Sequence, residues 1–276
     1  MSTKLQRTGI NALAWRIARV AAVALFSILI VRAAPGQEVS PPNETGFTNL
    51  FNGKDLTGWN GDPRLWSVKD GAIIGRIIPG PDIPRRNTFL IWTNGLLEDF
   101  ELRLLYRFPT NEGRNLGNSG IQYRSKVIDS AKWILGGYQA DMEVHTNYSG
   151  CLYDEGRVAG GRWIMAFRGE KAVWGADCRK HITGSLGRPE DIQSVIRTGD
   201  WNEYVVIAQG NHLQHFINGR QTVDVTDNCE AYHLTSGVLG FQLQGNRIME
   251  VQFKDIRLKR LDPPSTGSPA PDATQN

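Results

Sequence analysis

Gly137-Tyr138-Gln139-Ala140-Asp141-Met142-Glu143-Val144-His145 reads at period two. Tyr138, Ala140, Met142 and Val144 fall on one face, and Gln139, Asp141, Glu143 and His145 on the other. Such alternation is the mark of a strand with one face in a core and the other wet. Same-face neighbours on a strand stand roughly 7 Å apart, so Asp141 and Glu143 become near-parallel carboxylates. Acid–base work across a glycosidic bond uses a carboxylate spacing of about 5–10 Å. An ordinary solvated sheet face gives the same alternation. The next segment of chain favours a site: Tyr153, Asp154, Glu155 and Arg157 crowd together between Gly150 and Val158, with Gly156 among them. A phenol, two carboxylates and a guanidinium in so short a run have the composition of a site loop.

Working outward, Phe100-Glu101-Leu102-Arg103-Leu104-Leu105-Tyr106-Arg107-Phe108 alternates with Arg103 and Arg107 facing out. Leu65 to Gly75 reads as a hairpin about Asp70-Gly71, a dipeptide suited to a primed turn. Trp201 to Val225 reads as a meander with turns at Gln209-Gly210-Asn211 and Asn218-Gly219. Val238 to Gln244 and Met249 to Leu258 are two more strands, the second slipping phase at Lys254-Asp255 as a bulge would make it. Gly113 to Gly120 is a Gly/Asn-rich loop before a strand from Ile121. It lacks the Lys-Ser/Thr and the helix of a phosphate cradle. Residues 158–200 show no sustained period and read as an insertion over one face rather than as sheet. Ten to twelve short strands with no long helix predict an all-β, two-sheet sandwich.

Residues 1–34 combine Lys4, Arg7, Arg16 and Arg19 with an apolar run from Val20 to Val31 and the small residues Ala33 and Ala34. This is the pattern of a secretory signal peptide, too short for a comfortable transmembrane helix. An uncleaved anchor is the alternative. Either predicts an exported protein, periplasmic or extracellular, with no transmembrane domain in its folded part. Residues 35–45 read as a linker, 46–261 as the folded domain and the Pro/Ser/Thr-rich 262–276 as a disordered tail. The chain has 31 Lys and Arg against 28 Asp and Glu. The leader holds five of the basic residues and no acid, so the remainder carries 26 against 28, a net of −2. That balance speaks against a nucleic-acid partner. Cys151, Cys178 and Cys229 have no metal-motif spacing. In an oxidising compartment Cys178–Cys229 is the preferred pair, leaving Cys151 free in the site segment.

Phe47 to Trp59 with Leu50-Phe51-Asn52-Gly53, Trp66 to Gly71, Gly117-Asn118-Ser119-Gly120-Ile121, Gly137 to Asp141, Leu152-Tyr153-Asp154-Glu155 with Arg157, Trp201-Asn202 with Ile217-Asn218-Gly219, and Phe253 to Leu258 occur in that order. With them the chain resembles the 3-keto-disaccharide hydrolase domain family over residues 46–261. The resemblance implies a concanavalin-like jelly roll whose concave sheet holds a sugar. It also implies a substrate oxidised at C3, with a base for C2–H, an acid for the leaving oxygen and donors for an enolate. On this basis Asp141 or Glu143 is the expected base, Glu155 the acid, and Arg157 or Tyr153 the enolate donor. Gln139, Asn118, Gln122, Gln242 and Gln244 would bind hydroxyls, since amides both donate and accept, with His145 a further substrate-binding candidate. Trp133 and Trp174 are candidate stacking platforms.

Two departures bear on the chemistry. Phe241-Gln242-Leu243-Gln244 has Gln where many relatives have His, and Gln139 stands where jelly-roll glucanases carry the first Glu of Glu-x-Asp-x-Glu. The second argues against ordinary retaining hydrolysis. No cofactor is required by the sequence, although His145 with Asp141 and Glu143 leaves a divalent cation open. A non-catalytic carbohydrate-binding module is the rival reading, because fold alone does not set function.

Overall fold

A computed structural model describes residues 45–262, apart from 82, 110–116 and 146. The expected signal peptide, the tail from 263, most of the linker and Gly113 to Leu116 of the Gly/Asn-rich loop lie outside the described residues.

The strands in chain order are β1 (Thr48–Asn49), β2 (Trp59–Asn60), β3 (Trp66–Lys69), β4 (Ala72–Ile77), β5 (Thr88–Trp92), β6 (Phe100–Arg107), β7 (Asn118–Asp129), β8 (Ile134–Glu143) and β9 (Leu152–Glu155). They continue with β10 (Ile164–Ala166), β11 (Glu170–Trp174), β12 (Lys180–Ser185), β13 (Asn202–Gln209), β14 (His212–Ile217), β15 (Arg220–Asp227), β16 (Val238–Leu243) and β17 (Met249–Arg260). The larger sheet runs β12-β11-β15-β14-β13-β6-β17-β4-β3, with β1 also on β17. The smaller runs β10-β9-β8-β7-β16-β5-β2. The protein is an all-β sandwich, as the strand pattern predicts.

The core lies between the sheets. Phe100, Leu102, Leu104 and Tyr106 of β6 are buried with Tyr204, Val206, Val251 and Phe253, and meet Ile121, Tyr123, Tyr138, Ala140 and Met142 of the smaller sheet. Phe253 stacks on Phe241 at 4.2 Å and Phe241 on Trp59 at 5.0 Å. Each such side chain contributes about 1.5–3 kcal/mol by leaving water. Turn chemistry sets the register. Asp70 and Gly71 both take positive φ (50° and 73°), as do Asn218 and Gly219 (48° and 77°). Two positive φ values in succession are what a primed hairpin turn needs. The expected bulge in β17 is present, with a register shift between Lys254 and Arg257 and Asp255 at φ 52°.

Residues 158–200 are not an insertion over one face. They supply β10 to the smaller sheet and β11 and β12 to the larger. β11 pairs parallel with β15, from Lys171↔Asp224 to Trp174↔Asp227. Strands of three to six residues are too short to show a period, and a parallel pairing with a distant strand leaves no local signal. Cys178 and Cys229 form the expected disulfide, tying the β11–β12 turn to the segment after β15. Cys151 is free and buried, and burial pushes its thiol up to about 12. A thiol so raised is not a nucleophile at neutral pH.

Candidate active site on the smaller sheet

Period-two alternation splits β8 as the sequence predicts. Tyr138, Ala140 and Met142 enter the core, so Gln139, Asp141 and Glu143 face outward. Register places partners beside them: Asn118 opposite Glu143, Gly120 opposite Asp141, Gln122 opposite Gln139, and on the other flank Tyr153 opposite Gln139 and Glu155 opposite Gly137. Gln242 of β16 lies two residues beyond Gly240, which pairs with Gln122. The expected polar set therefore shares one face.

A chain of hydrogen bonds fixes it. Ser125 Oγ donates to Gln122 Oε1 (2.6 Å), Gln122 Nε2 to Gln139 Oε1 (2.6 Å), and Gln139 Nε2 to Asp141 Oδ1 (2.7 Å). Gln139 reaches Asp141 across Gly120; a Cβ on Gly120 would stand 2.4 Å from Gln139 Cγ.

The β7–β8 hairpin curls back over the face. Leu135 near the start of β8 packs with Phe89 and Ile91 of β5, and the Phe89 N–H donates to the Trp133 carbonyl at 2.9 Å. The curl brings Glu155, at the end of β9, to Asn87, whose Nδ2 donates to Glu155 Oε1 at 2.9 Å. The Gln242 amide is a second hydrogen-bond partner of Glu155. Glu155 is held in this way across four strands of sequence order. Its proximity to the Asp141 carboxyl is close enough to raise that group's proton affinity.

Both carboxyls are perturbed. Burial holds Asp141 well above the usual carboxylate range, against the single lowering bond from Gln139 and with Glu155 and Glu143 adding to the rise. Burial also raises Glu155, but the amides of Asn87 and Gln242 oppose it. Asp141 is 6 % exposed and Glu155 half-buried. Depth of burial against number of amide donors makes Asp141 the more strongly raised of the two.

The raised affinity has a consequence for stability. The unfolded chain releases the Asp141 proton near the ordinary value of about 4, while the folded chain keeps it. Stability from this group is complete below the unfolded value and is lost as pH climbs towards the folded one. Asp141→Asn should therefore raise the melting temperature by a few degrees at pH 8 and by nothing measurable at pH 4, read by thermal unfolding at both. An equal shift at both would contradict the assignment.

The other expected residues divide. Glu143 Oε1 accepts from the Tyr148 N–H at 2.9 Å, and Glu143 caps a turn rather than standing free. His145 is exposed in that turn, past the end of β8, so the strand stops two residues short of the sequence reading. Among the described residues no group of His, Cys, Asp and Glu is placed to hold a metal ion. Arg157 is exposed and lies over the Trp163 ring at 4.4 Å. Asp154 faces inward and accepts from the Ala159 and Arg162 N–H groups (2.8 and 3.0 Å), shaping the loop after β9. Trp174 is not a platform. It is buried against the core, its Nε1 donates to the Met165 carbonyl and Arg162 covers its ring at 4.9 Å. Trp133 sits at the opposite margin of the face, half-buried, its Nε1 on Asn60 Oδ1 at 2.9 Å. The side-chain oxygens of Gln242 and Gln244 are buried and, among the described residues, accept no hydrogen bond.

Sequence reasoning missed Asn87, Ser125 and Trp163. Trp163, 51 % exposed, stands edge-on to Tyr153 at 6.1 Å. Its indole is exposed beside Tyr153, with Arg157 over one face of the ring, where that of Trp174 is buried. Nothing local in the sequence distinguishes the two tryptophans.

None of the curated proteins matches the chain. A candidate glycosyl hydrolase from Parabacteroides distasonis ATCC 8503 is similar in structure at a TM-score of 0.50 and 17% identity, covering 78% of this chain and 99% of that one. The carbohydrate-binding module CBM66 from Bacillus subtilis is similar at 0.45 and 15%, covering 79% and 97%. At these identities the likeness concerns the fold. Residues 46–259 match the family described as the 3-keto-alpha-glucoside-1,2-lyase-like domain, and the chain belongs to that family.

Proposed function

We propose that the polar face of the smaller sheet cleaves glycosides oxidised at C3 of the sugar ring. The supporting observation is the pair Asp141 and Glu155, two carboxyls of raised and unequal proton affinity held by amides on one face. Family membership agrees with this chemistry. A C3 ketone acidifies the C2 proton. Glu155, ionised and oriented by Asn87 and Gln242, takes that proton, and the C2–H electrons pass into the C2–C3 bond to give an enolate. Collapse of the enolate restores the ketone, forms the C1–C2 double bond and breaks the C1–O bond. Asp141 gives its proton to the leaving oxygen. Water then adds across C1–C2, hydroxyl to C1 and proton to C2, completing a net hydrolysis. Tyr153, on the same face and with its phenol kept protonated by burial, is a donor for the enolate oxygen.

The rival is a carbohydrate-binding module, which needs the amides and Trp163 but not the carboxyl pair. Purified protein, with and without EDTA, is incubated with 3-keto-trehalose, 3-keto-lactose and their unoxidised parents. Sugar release from the keto forms alone is expected. Binding without cleavage supports the module, and loss of activity in EDTA would require a cation that the carboxyl-pair scheme does not use.

A further inference from the structure

Next to Asn87 the polar face opens into a cleft of about 340 Å3 lined by Arg64, Arg85, Arg86, Lys132 and Trp133. This is within the size range of about 300–1,000 Å3 for small-molecule sites. Its cations are not equivalent. Arg64 is paired with Asp62 at 2.6 Å and Lys132 with Asp129 at 2.9 Å. Arg85 and Arg86 are exposed, and among the described residues neither forms an ion pair. Their backbone is nonetheless fixed. Asn246 donates from its N–H to the Pro84 carbonyl (2.8 Å) and from Nδ2 to the Arg85 carbonyl (3.1 Å), and the Gly245 N–H donates to Asn87 Oδ1 (3.1 Å). The Arg86 main chain lies so close to Gly245 that a Cβ there would stand 2.5 Å from the Arg86 carbonyl carbon. The same Asn87 that this turn clamps donates to Glu155. The backbone of two arginines that form no ion pair among the described residues is thus fixed one and two residues from a side chain that orients the proposed base.

We infer that this cleft binds an anionic group, a carboxylate or a sulfate, on the sugar residue next to the one cleaved. The inference rests on the carbohydrate reading given above and adds the class of substrate to it. A neutral disaccharide would leave both arginines idle. An anionic one would be repelled by the carboxylates of the face unless cations met it, and the planar guanidinium fork matches carboxylate and sulfate oxygens. Trp133, on the border between cleft and face, lies where the adjoining ring would rest.

The test is calorimetric titration of the protein with cellobiose, glucosyl-1,4-glucuronate and 6-sulfated cellobiose in 50 mM NaCl. One or both anionic sugars should bind about tenfold tighter than cellobiose, the preferred one identifying the group. The preference should shrink severalfold in 500 mM NaCl through screening and disappear in Arg85→Gln/Arg86→Gln, whose side chains are exposed. Equal binding of all three, no binding of any, or a preference that survives salt or the double variant would overturn the inference. Failure of the wild-type protein to cleave neutral and anionic 3-keto-disaccharides alike would instead sink the catalytic reading and leave a measured charge preference standing.

Discussion

Glu155→Gln will lower kcat/KM on 3-keto-glycosides by about 10²–10⁴-fold, the range for loss of a general base, whatever the leaving group. Asp141→Asn will behave differently. It will cost a comparable factor on 3-keto-lactose, whose leaving alcohol needs a proton, and far less on a nitrophenyl 3-keto-glucoside, whose leaving phenolate does not. The contrast follows from the proposed roles, in which the more deeply buried and more strongly raised Asp141 carries the proton and Glu155, held by Asn87 and Gln242, is the base. The pH profile of kcat/KM has the same logic. Activity rises with pH as Glu155 ionises, above the ordinary carboxylate range, and falls as Asp141 loses its proton. Because the groups interact, the two limbs report the pair. In Asp141→Asn the falling limb should vanish on the nitrophenyl substrate. Equal losses on both leaving groups in Asp141→Asn would reverse or refute the assignment.

The second large effect is on stability. Asp227, at the end of β15, is bound twice by Arg162 (Nη1 and Nη2, each 2.7 Å), and Tyr138 Oη donates to it at 2.5 Å. Both members of the ion pair are buried, at 4% and 1% side-chain exposure. Asp227→Ala leaves a buried guanidinium without its counter-ion and should cost about 3–5 kcal/mol. The midpoint of urea unfolding reports the loss, which should come with little change in slope. Arg162→Met with Asp227→Leu should recover part of it, because no lone charge then remains inside. The network also positions the site: Tyr138 precedes Gln139 on β8, and Arg162 precedes Trp163. A cost below about 1 kcal/mol in Asp227→Ala would show that the pair is not sequestered as the structure has it.

The polar face was legible because a strand writes its two faces into alternate residues, so Gln139, Asp141 and Glu143 could be named before any fold was known. The hairpins at Asp70-Gly71 and Asn218-Gly219 were legible for a similar local reason, their left-handed φ values. The meeting of Glu155 with Asn87 was not. It joins residues 68 apart in sequence and depends on a bend in the β7–β8 hairpin that no periodicity announces. Val144 keeps the alternation, so the sequence predicts a strand running to His145. It ends at Glu143 because Ser149 Oγ takes up the Glu143 N–H and the chain turns. Trp174 and Trp163 differ in exposure for a non-local reason too: β11 is drawn into the larger sheet by its parallel pairing with β15, which carries Trp174 inward, while Asp154 braces the loop that leaves Trp163 outside.

The most direct measurement is the kinetic isotope effect on cleavage of a 3-keto-disaccharide carrying deuterium at C2. Abstraction of that proton by Glu155 predicts a primary effect on kcat/KM, together with no cleavage of the unoxidised parent. Cleavage of keto form and parent alike, with no isotope effect at C2, would contradict it, because the C1–O bond would then break by direct displacement.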